Sequence, residues 1–492
     1  MQNCRSFLPL GSCLALMASL VSCGAESPTG PDVTGPEMME PGGMDPIPPN
    51  TGMETPPNTG MTNPGNTNGE AMVPTDTPIT PTMMDPPTTT PPPSGELTTP
   101  VPPLVPEALD CGADGWAVEN HGPASNRVNY VILADGYTAQ TVETTLVEHI
   151  NRYMDRRFNH ESGEPYGRYR NFVNICVMKV VSQNNGIGNG PTAFGGGNGG
   201  DRLASVNNQL VNAYLDTNIP ETLEIDWRAV VLNQGLWENT GSATMLWSGA
   251  NNDAPGAALH EGGHGFHQLA DEYCASATGA RCGPEGAGPA GQERQEVNST
   301  GNPTTTGGKW DLWLGSIQKG LKVPDQGATG VQSVFSGSRY VDEGQYRPSS
   351  NSMMNSLFGS NVNTSFNSVS REQMIFSIWR AVKPVDSVDP PAGAVSAPAA
   401  LTVTVVDPAV VSIDWSIDGN VVAANAGGKL NIAAAGLAAG THTITAKAYD
   451  NASEDLVRYR DSTCPNSVTG RYCHATAWQN SIQTVEWQVT IP

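Results

Sequence analysis

From Gly24 to about Glu107 the chain is built of Pro, Thr, Gly, Met and Asn with scattered acids and no Lys or Arg, and this tract holds about half of its 40 prolines. Proline removes a backbone donor and fixes φ, and too few apolar residues are present to offset chain entropy. The tract is therefore expected to be an extended, disordered tether, a composition also found in glycosylated stalks. What remains of the 492 residues, roughly 385, is enough for two packed domains. About half of the formal net charge of −23 lies in the tether, so the folded part is only mildly acidic. No basic patch exists from which nucleic-acid binding could be argued, and that partner is excluded.

The N-terminus reads as an export signal. Arg5 precedes an apolar run from Phe7 through Val21 that is short for a spanning helix and contains Pro9 and Gly11. Leu20-Val21-Ser22-Cys23-Gly24 resembles the lipobox of bacterial lipoproteins, whose cysteine becomes the lipidated first residue. That resemblance implies membrane attachment through Cys23, and Gly24 resembles the residue found there in lipoproteins sorted to the outer membrane. With Cys4 and Cys13 in the leader, Cys111, Cys176, Cys274, Cys282, Cys464 and Cys473 remain, an even set that in an exported chain points to disulfides. Cys274/Cys282 and Cys464/Cys473 each enclose a short loop, so local pairing is the economical expectation, leaving Cys111 with Cys176.

Four divisions are expected: a leader over 1–22, the tether over 23–108, a catalytic domain over 109–390 and a β-sandwich over 391–492. In the third, Val128–Asp135 reads as a buried strand, Thr138–Phe158 as a helix capped by Thr138, and Val173–Val181 and Arg228–Leu232 as further strands. Strands alternating with helices indicate an α/β layer. Gly196–Leu203 matches one unit of a calcium-binding nonapeptide repeat, but such sites need stacked copies, and a surface loop is the better reading. Beyond Ala399, short alternating strands at Leu401–Val406, Val411–Ile417, His442–Tyr449 and Thr484–Ile491 read as an immunoglobulin-like sandwich with Trp415 and Trp487 in its core.

The chemistry concentrates in Ala257-Ala-Leu-His260-Glu261-Gly-Gly-His264-Gly-Phe-His267-Gln-Leu-Ala-Asp271-Glu272-Tyr273. On a helix His260 and His264 lie one turn apart on one face, within reach of a single Zn²⁺, and Glu261 beside them can act as general base. A catalytic zinc needs a third protein ligand. On a straight helix Asp271 would lie ~10 Å beyond His264, so the helix must end and the chain turn back, which Gly265 would permit. Asp271, Glu272 and His267 are then the candidates for the third ligand. Downstream, Tyr346-Arg-Pro-Ser-Ser-Asn351-Ser-Met353-Met354-Asn355 is a candidate for the methionine-bearing turn that floors the metal in metzincin-type zincins. Tyr346 and Tyr273 are candidate electrophiles for a transition-state oxyanion. The strand Ala243–Ser248, with Trp247, precedes the helix where related zincins pair extended substrate.

Together these elements resemble the IgA-peptidase family of bacterial metallopeptidases. Val131-Ile-Leu-Ala-Asp-Gly-Tyr-Thr138 is similar to its opening strand and turn, His260-Glu-x-Gly-His followed by Leu269-Ala-Asp-Glu-Tyr273 to its zinc helix and return, and Tyr346-Arg-Pro with Asn-Ser-Met-Met354 to its Met-turn. The resemblance covers about residues 125–385. It implies a zincin-like α/β (α+β) domain, zinc held by His260, His264 and Asp271, and Glu261 as base. His267 stands where metzincins usually have a turn glycine, and an acid replaces their third histidine. The expected protein is a lipid-anchored, monomeric zinc endopeptidase at the cell surface or outer membrane, acting on proteins or glycoproteins. Its rival is a surface adhesin or glycan-binding lipoprotein built on a relic of that domain.

Overall fold

A computed structural model describes residues 96–198, 203–237, 239–273, 295–302, 308–318, 331–355, 364–460 and 478–492. The leader, Cys23, most of the tether, the centre of the glycine-rich loop and the cysteines 274, 282, 464 and 473 lie outside the described residues. The described residues form one compact unit.

Its first sheet has the strand order Gly115–Glu119, Val173–Met178, Val128–Asp135, Trp227–Leu232, Met245–Ser248. The last four run parallel and the first is an antiparallel edge. Every residue of Val128–Asp135 is buried, as expected of a central strand covered on both faces. Side chains alternate across it. Tyr130, Ile132 and Ala134 join a core with helices α1 (Thr145–Phe158) and α3 (Ala254–Gly265), while Val131 and Leu133 meet α2 (Asn208–Asn218) through Val211 and Leu215. Cys111 and Cys176 are joined by a disulfide, the pairing expected from the sequence.

Helix α1 begins at Thr145, seven residues later than its periodicity suggests. Thr138 is instead the corner of a preceding turn, accepting from Thr141 and Val142 N–H through its carbonyl and donating its own N–H to Thr141 Oγ1 at 2.9 Å. A fourth helix, α4 (Ser368–Ala381), is buried from Ser368 through Trp379 and lies against the C-terminal strands.

Besides two small antiparallel pairs, Gly197–Asn198 with Ala204–Ser205 and Phe335–Ser338 with Val341–Arg347, the remaining strands form two larger sheets. One orders Thr98–Thr99, Lys429–Asn431, Ala400–Val405 and Val385–Asp389; the other orders Gly393–Ser396, Ile482–Ile491, Gly440–Asp450, Val411–Ile417 and Asn420–Ala426. Thr98 and Thr99, in the stretch read as tether, thus pair with Leu430 and Lys429. Trp415 and Trp487 are fully buried and stack at 5.9 Å, in the core where the sequence places them.

Three buried carboxylates fasten these strands to the rest. Asp386 receives the Arg127 guanidinium through both oxygens at 2.7 and 2.8 Å. Asp450 accepts from Tyr169 Oη at 2.6 Å and Trp379 Nε1 at 2.9 Å, and Glu372 on α4 accepts the backbone N–H groups of Arg458 and Tyr459 at 2.7 and 2.8 Å. The sheets beyond residue 385 are thereby built into the same core as the helices.

Candidate metal centre

Helix α3 is rich in alanine and glycine, with Pro255 in its first turn, where a missing N–H is harmless. Its two central glycines have a packing reason. A Cβ on Gly262 would come within 2.7 Å of the Trp227 indole, and one on Gly263 within 2.7 Å of Met354 Sδ. The helix can therefore lie directly on the sheet on one side and on Met354 on the other.

The helix ends at Gly265, and the chain reverses as the sequence requires, but the left-handed residue is Gln268 (φ +58°) rather than Gly265. Leu269 N–H closes onto Gly263 O at 2.9 Å. The extended return 269–273 then carries Asp271 back to the helix. Its Oδ1 lies 3.0 Å from His260 Nε2 and 3.1 Å from His264 Nε2, and the two Nε2 atoms are 3.1 Å apart.

The remaining ring nitrogens fix what these atoms are. His260 Nδ1 donates to Met353 O at 2.8 Å and His264 Nδ1 to Leu269 O at 2.7 Å. In the neutral rings both Nε2 atoms are then lone-pair acceptors, facing each other and a carboxylate oxygen. Three acceptors in mutual contact repel unless a cation lies among them. The edges of this triangle are close to the ~3.3 Å expected around a tetrahedral ion with ligands at 2.0–2.1 Å. The residues present therefore fit a zinc-type divalent metal. Without a metal the cluster collects a proton: burial would lower the His264 pKa, yet the Asp271 carboxylate pushes it up to about 9.

Glu261 is buried beside the pair, and one atom each of His260, Glu261 and His264 can come within 4.8 Å of the others. Burial raises its carboxyl above the ordinary range, with the two imidazoles opposing. Over it runs Gly241: a Cβ there would meet Glu261 Oε2 at 2.8 Å and His264 Cβ and Cδ2 at 2.6 Å.

The other candidates are placed as follows. Glu272, fully buried, turns away from the imidazoles and accepts from Ser352 Oγ at 2.6 Å, Asn367 Nδ2 at 2.8 Å and Asn298 Nδ2 at 2.9 Å. His267 points into an aromatic cluster, with Nε2 2.7 Å from Tyr166 Oη. Tyr273 packs its ring on His260 at 6.2 Å. Tyr346 sits in the strand Val341–Arg347, its backbone paired with Thr300, and a phenol that sequence reading did not single out, Tyr340, is bonded to Asp271 Oδ2. Trp247 is a core residue against Tyr153. The strand Met245–Ser248 is parallel to its neighbour, and its outer edge is already engaged by Thr240, whose N–H and C=O bond Leu246 at 3.0 and 2.9 Å. Sequence reasoning missed Tyr340 and Gly241. Thr240-Gly-Ser before a strand is a recognisable turn signal, whereas nothing near Tyr340 announces its role.

Residues 117–328 match the model of the family described as IgA Peptidase M64. The match includes His260, Glu261, His264 and Asp271 and stops short of Tyr340 and Met354. A search of curated proteins finds no match to the chain.

Proposed function

We propose, from the match of residues 117–328 to the model of the family described as IgA Peptidase M64, that this chain is a zinc-dependent endopeptidase with His260, His264 and Asp271 as metal ligands and Glu261 as general base. The observation that carries the reading is the triangle of two imidazole nitrogens and one carboxylate oxygen, each edge 3.0–3.1 Å, assembled from a helix and its return. When bound, the metal supplies a Lewis acid for the peptide carbonyl and lowers the pKa of water. The chain supplies the rest. Glu261, its basicity raised by burial, takes a proton from the attacking water and returns it to the leaving amine. Met353 O and Leu269 O hold the imidazoles in the tautomer that leaves Nε2 free. Gly241 packs directly on Glu261 and His264, where only a residue without a Cβ fits. Its N–H and C=O make no hydrogen bond among the described residues, so both are available to extended substrate.

The mature protein is proposed to be exported and held at a membrane through lipidated Cys23, acting there as a monomer on extracellular proteins or glycoproteins. This part rests on the leader and tether sequence and is supported by the Cys111–Cys176 disulfide, a bond typical of oxidising compartments. Chelation tests the enzymatic reading. A strong chelator should abolish proteolysis of an unfolded protein substrate, and one equivalent of zinc per chain should restore it; proteolysis indifferent to chelation would end the proposal.

A further inference from the structure

The hairpin that delivers Tyr340 is backbone-strained in a way its sequence does not explain. Strands Phe335–Ser338 and Val341–Arg347 are joined through Arg339 and Tyr340, at φ +52° and +67°. Two consecutive left-handed residues make the tight hairpin turn that normally calls for Asn-Gly, because a Cβ disfavours both positions. Here both residues carry large side chains. Strain of this kind persists only where its surroundings over-determine it.

The surroundings are the return segment. Arg339 N–H donates to Asp271 O at 3.0 Å, Ser338 Oγ to the same carbonyl at 3.3 Å, and Tyr340 N–H to Tyr273 O at 3.0 Å. The tip therefore holds the return at the carbonyls of Asp271 and Tyr273, one on either side of Glu272. From that position the Tyr340 phenol donates to Asp271 Oδ2, while Oδ1 faces the two imidazoles. The Tyr340 ring is set edge-on to Tyr273 at 5.4 Å, and Tyr273 in turn stacks on His260.

Resting on the proposed ligand set, we infer that Tyr340 is a positioning residue that occupies one oxygen of Asp271 and so restricts the carboxylate to a single metal bond. A carboxylate free to swing would offer both oxygens and fill the position that a hydrolytic site keeps for water. The left-handed turn at residues 339 and 340 is the conformation from which the phenol reaches Oδ2.

The full mature chain tests this. X-ray absorption of the zinc-loaded wild type should give four light-atom neighbours, two of them imidazole nitrogens. Tyr340→Phe keeps the ring against Tyr273 and removes only the hydroxyl. It should weaken zinc about 10–100-fold by competition with a chelator. Its cobalt-substituted form should lose the intense visible absorption of a four-coordinate site as the second oxygen binds. Wild-type zinc with five neighbours, or a variant equal to wild type in zinc affinity and cobalt spectrum, would overturn the role of Tyr340. Absence of zinc from the wild type would overturn the ligand set itself, a result distinguishable from either.

Discussion

Asp271 and Glu272 are adjacent in sequence and serve opposite faces of the return segment: Asp271 Oδ1 lies 3.0 Å from His260 Nε2, whereas the Glu272 carboxylate gathers Ser352, Asn367 and Asn298. Successive residues of an extended chain point to opposite sides, so only one of the two acids can face the helix. Glu272 instead ties the return to the turn bearing Met353 and Met354 and to the N-cap of α4, Asn367. Asp271→Ala should therefore lose zinc while staying folded. Glu272→Ala should keep zinc when folded and lose stability, since it strands three buried donors at about 1–3 kcal/mol each. Zinc analysis and thermal unfolding of both variants check the contrast, and zinc loss in Glu272→Ala alone would reverse the assignment.

Gly241 makes a steric prediction. A methyl group there would press on His264 and the Glu261 carboxylate at 2.6–2.8 Å, distances at which something must move. Gly241→Ala should lower kcat/KM by about 100-fold, the cost of displacing a catalytic group by about 1 Å. Its unfolding midpoint should change little, because residue 241 lies at a half-buried rim. Unchanged steady-state kinetics would show that Gly241 does not set the positions of Glu261 and His264.

Glu372 predicts a pH dependence of stability. Burial raises its pKa to about 7, against hydrogen bonds from Trp313 Nε1 and the N–H groups of Tyr459 and Arg458. A carboxyl whose folded pKa exceeds its unfolded value of about 4.3 holds its proton longer in the native state. Stability therefore falls as the pH rises from about 4.5 to 7 and is flat in this contribution above that range. Urea unfolding across the range should show this slope in the wild type and a smaller one in Glu372→Gln. Equal slopes would place the titration elsewhere.

Much of the centre was legible because its chemistry is local in sequence. His260, Glu261 and His264 share a helix turn, and the distance argument required a reversal before Asp271 could approach. The helix ends at Gly265, where the reversal was expected, although the left-handed residue of the turn is Gln268 rather than a glycine. Helix α4 was missed because it is buried almost throughout and shows no polar face for periodicity to detect. Tyr340 was missed because its turn carries none of the usual turn residues; what fixes it is tertiary, three hydrogen bonds to a segment nearly 70 positions away. The strand Ala243–Ser248 was recognisable as a strand, and Thr240-Gly-Ser before it as a turn, but not that the turn would bring Thr240 back onto Leu246, since a single antiparallel bridge leaves no pattern.

The central claim is that Glu261 moves protons at a metal held by its neighbours, and Glu261→Gln tests it most directly. The substitution keeps size and burial, removes the base, and leaves His260, His264 and Asp271 untouched. Proteolysis of an unfolded protein by the zinc-loaded variant, measured beside the wild type at matched zinc content, should fall to background while one zinc per chain remains bound. Turnover above a few per cent of wild type with zinc in place would contradict the account.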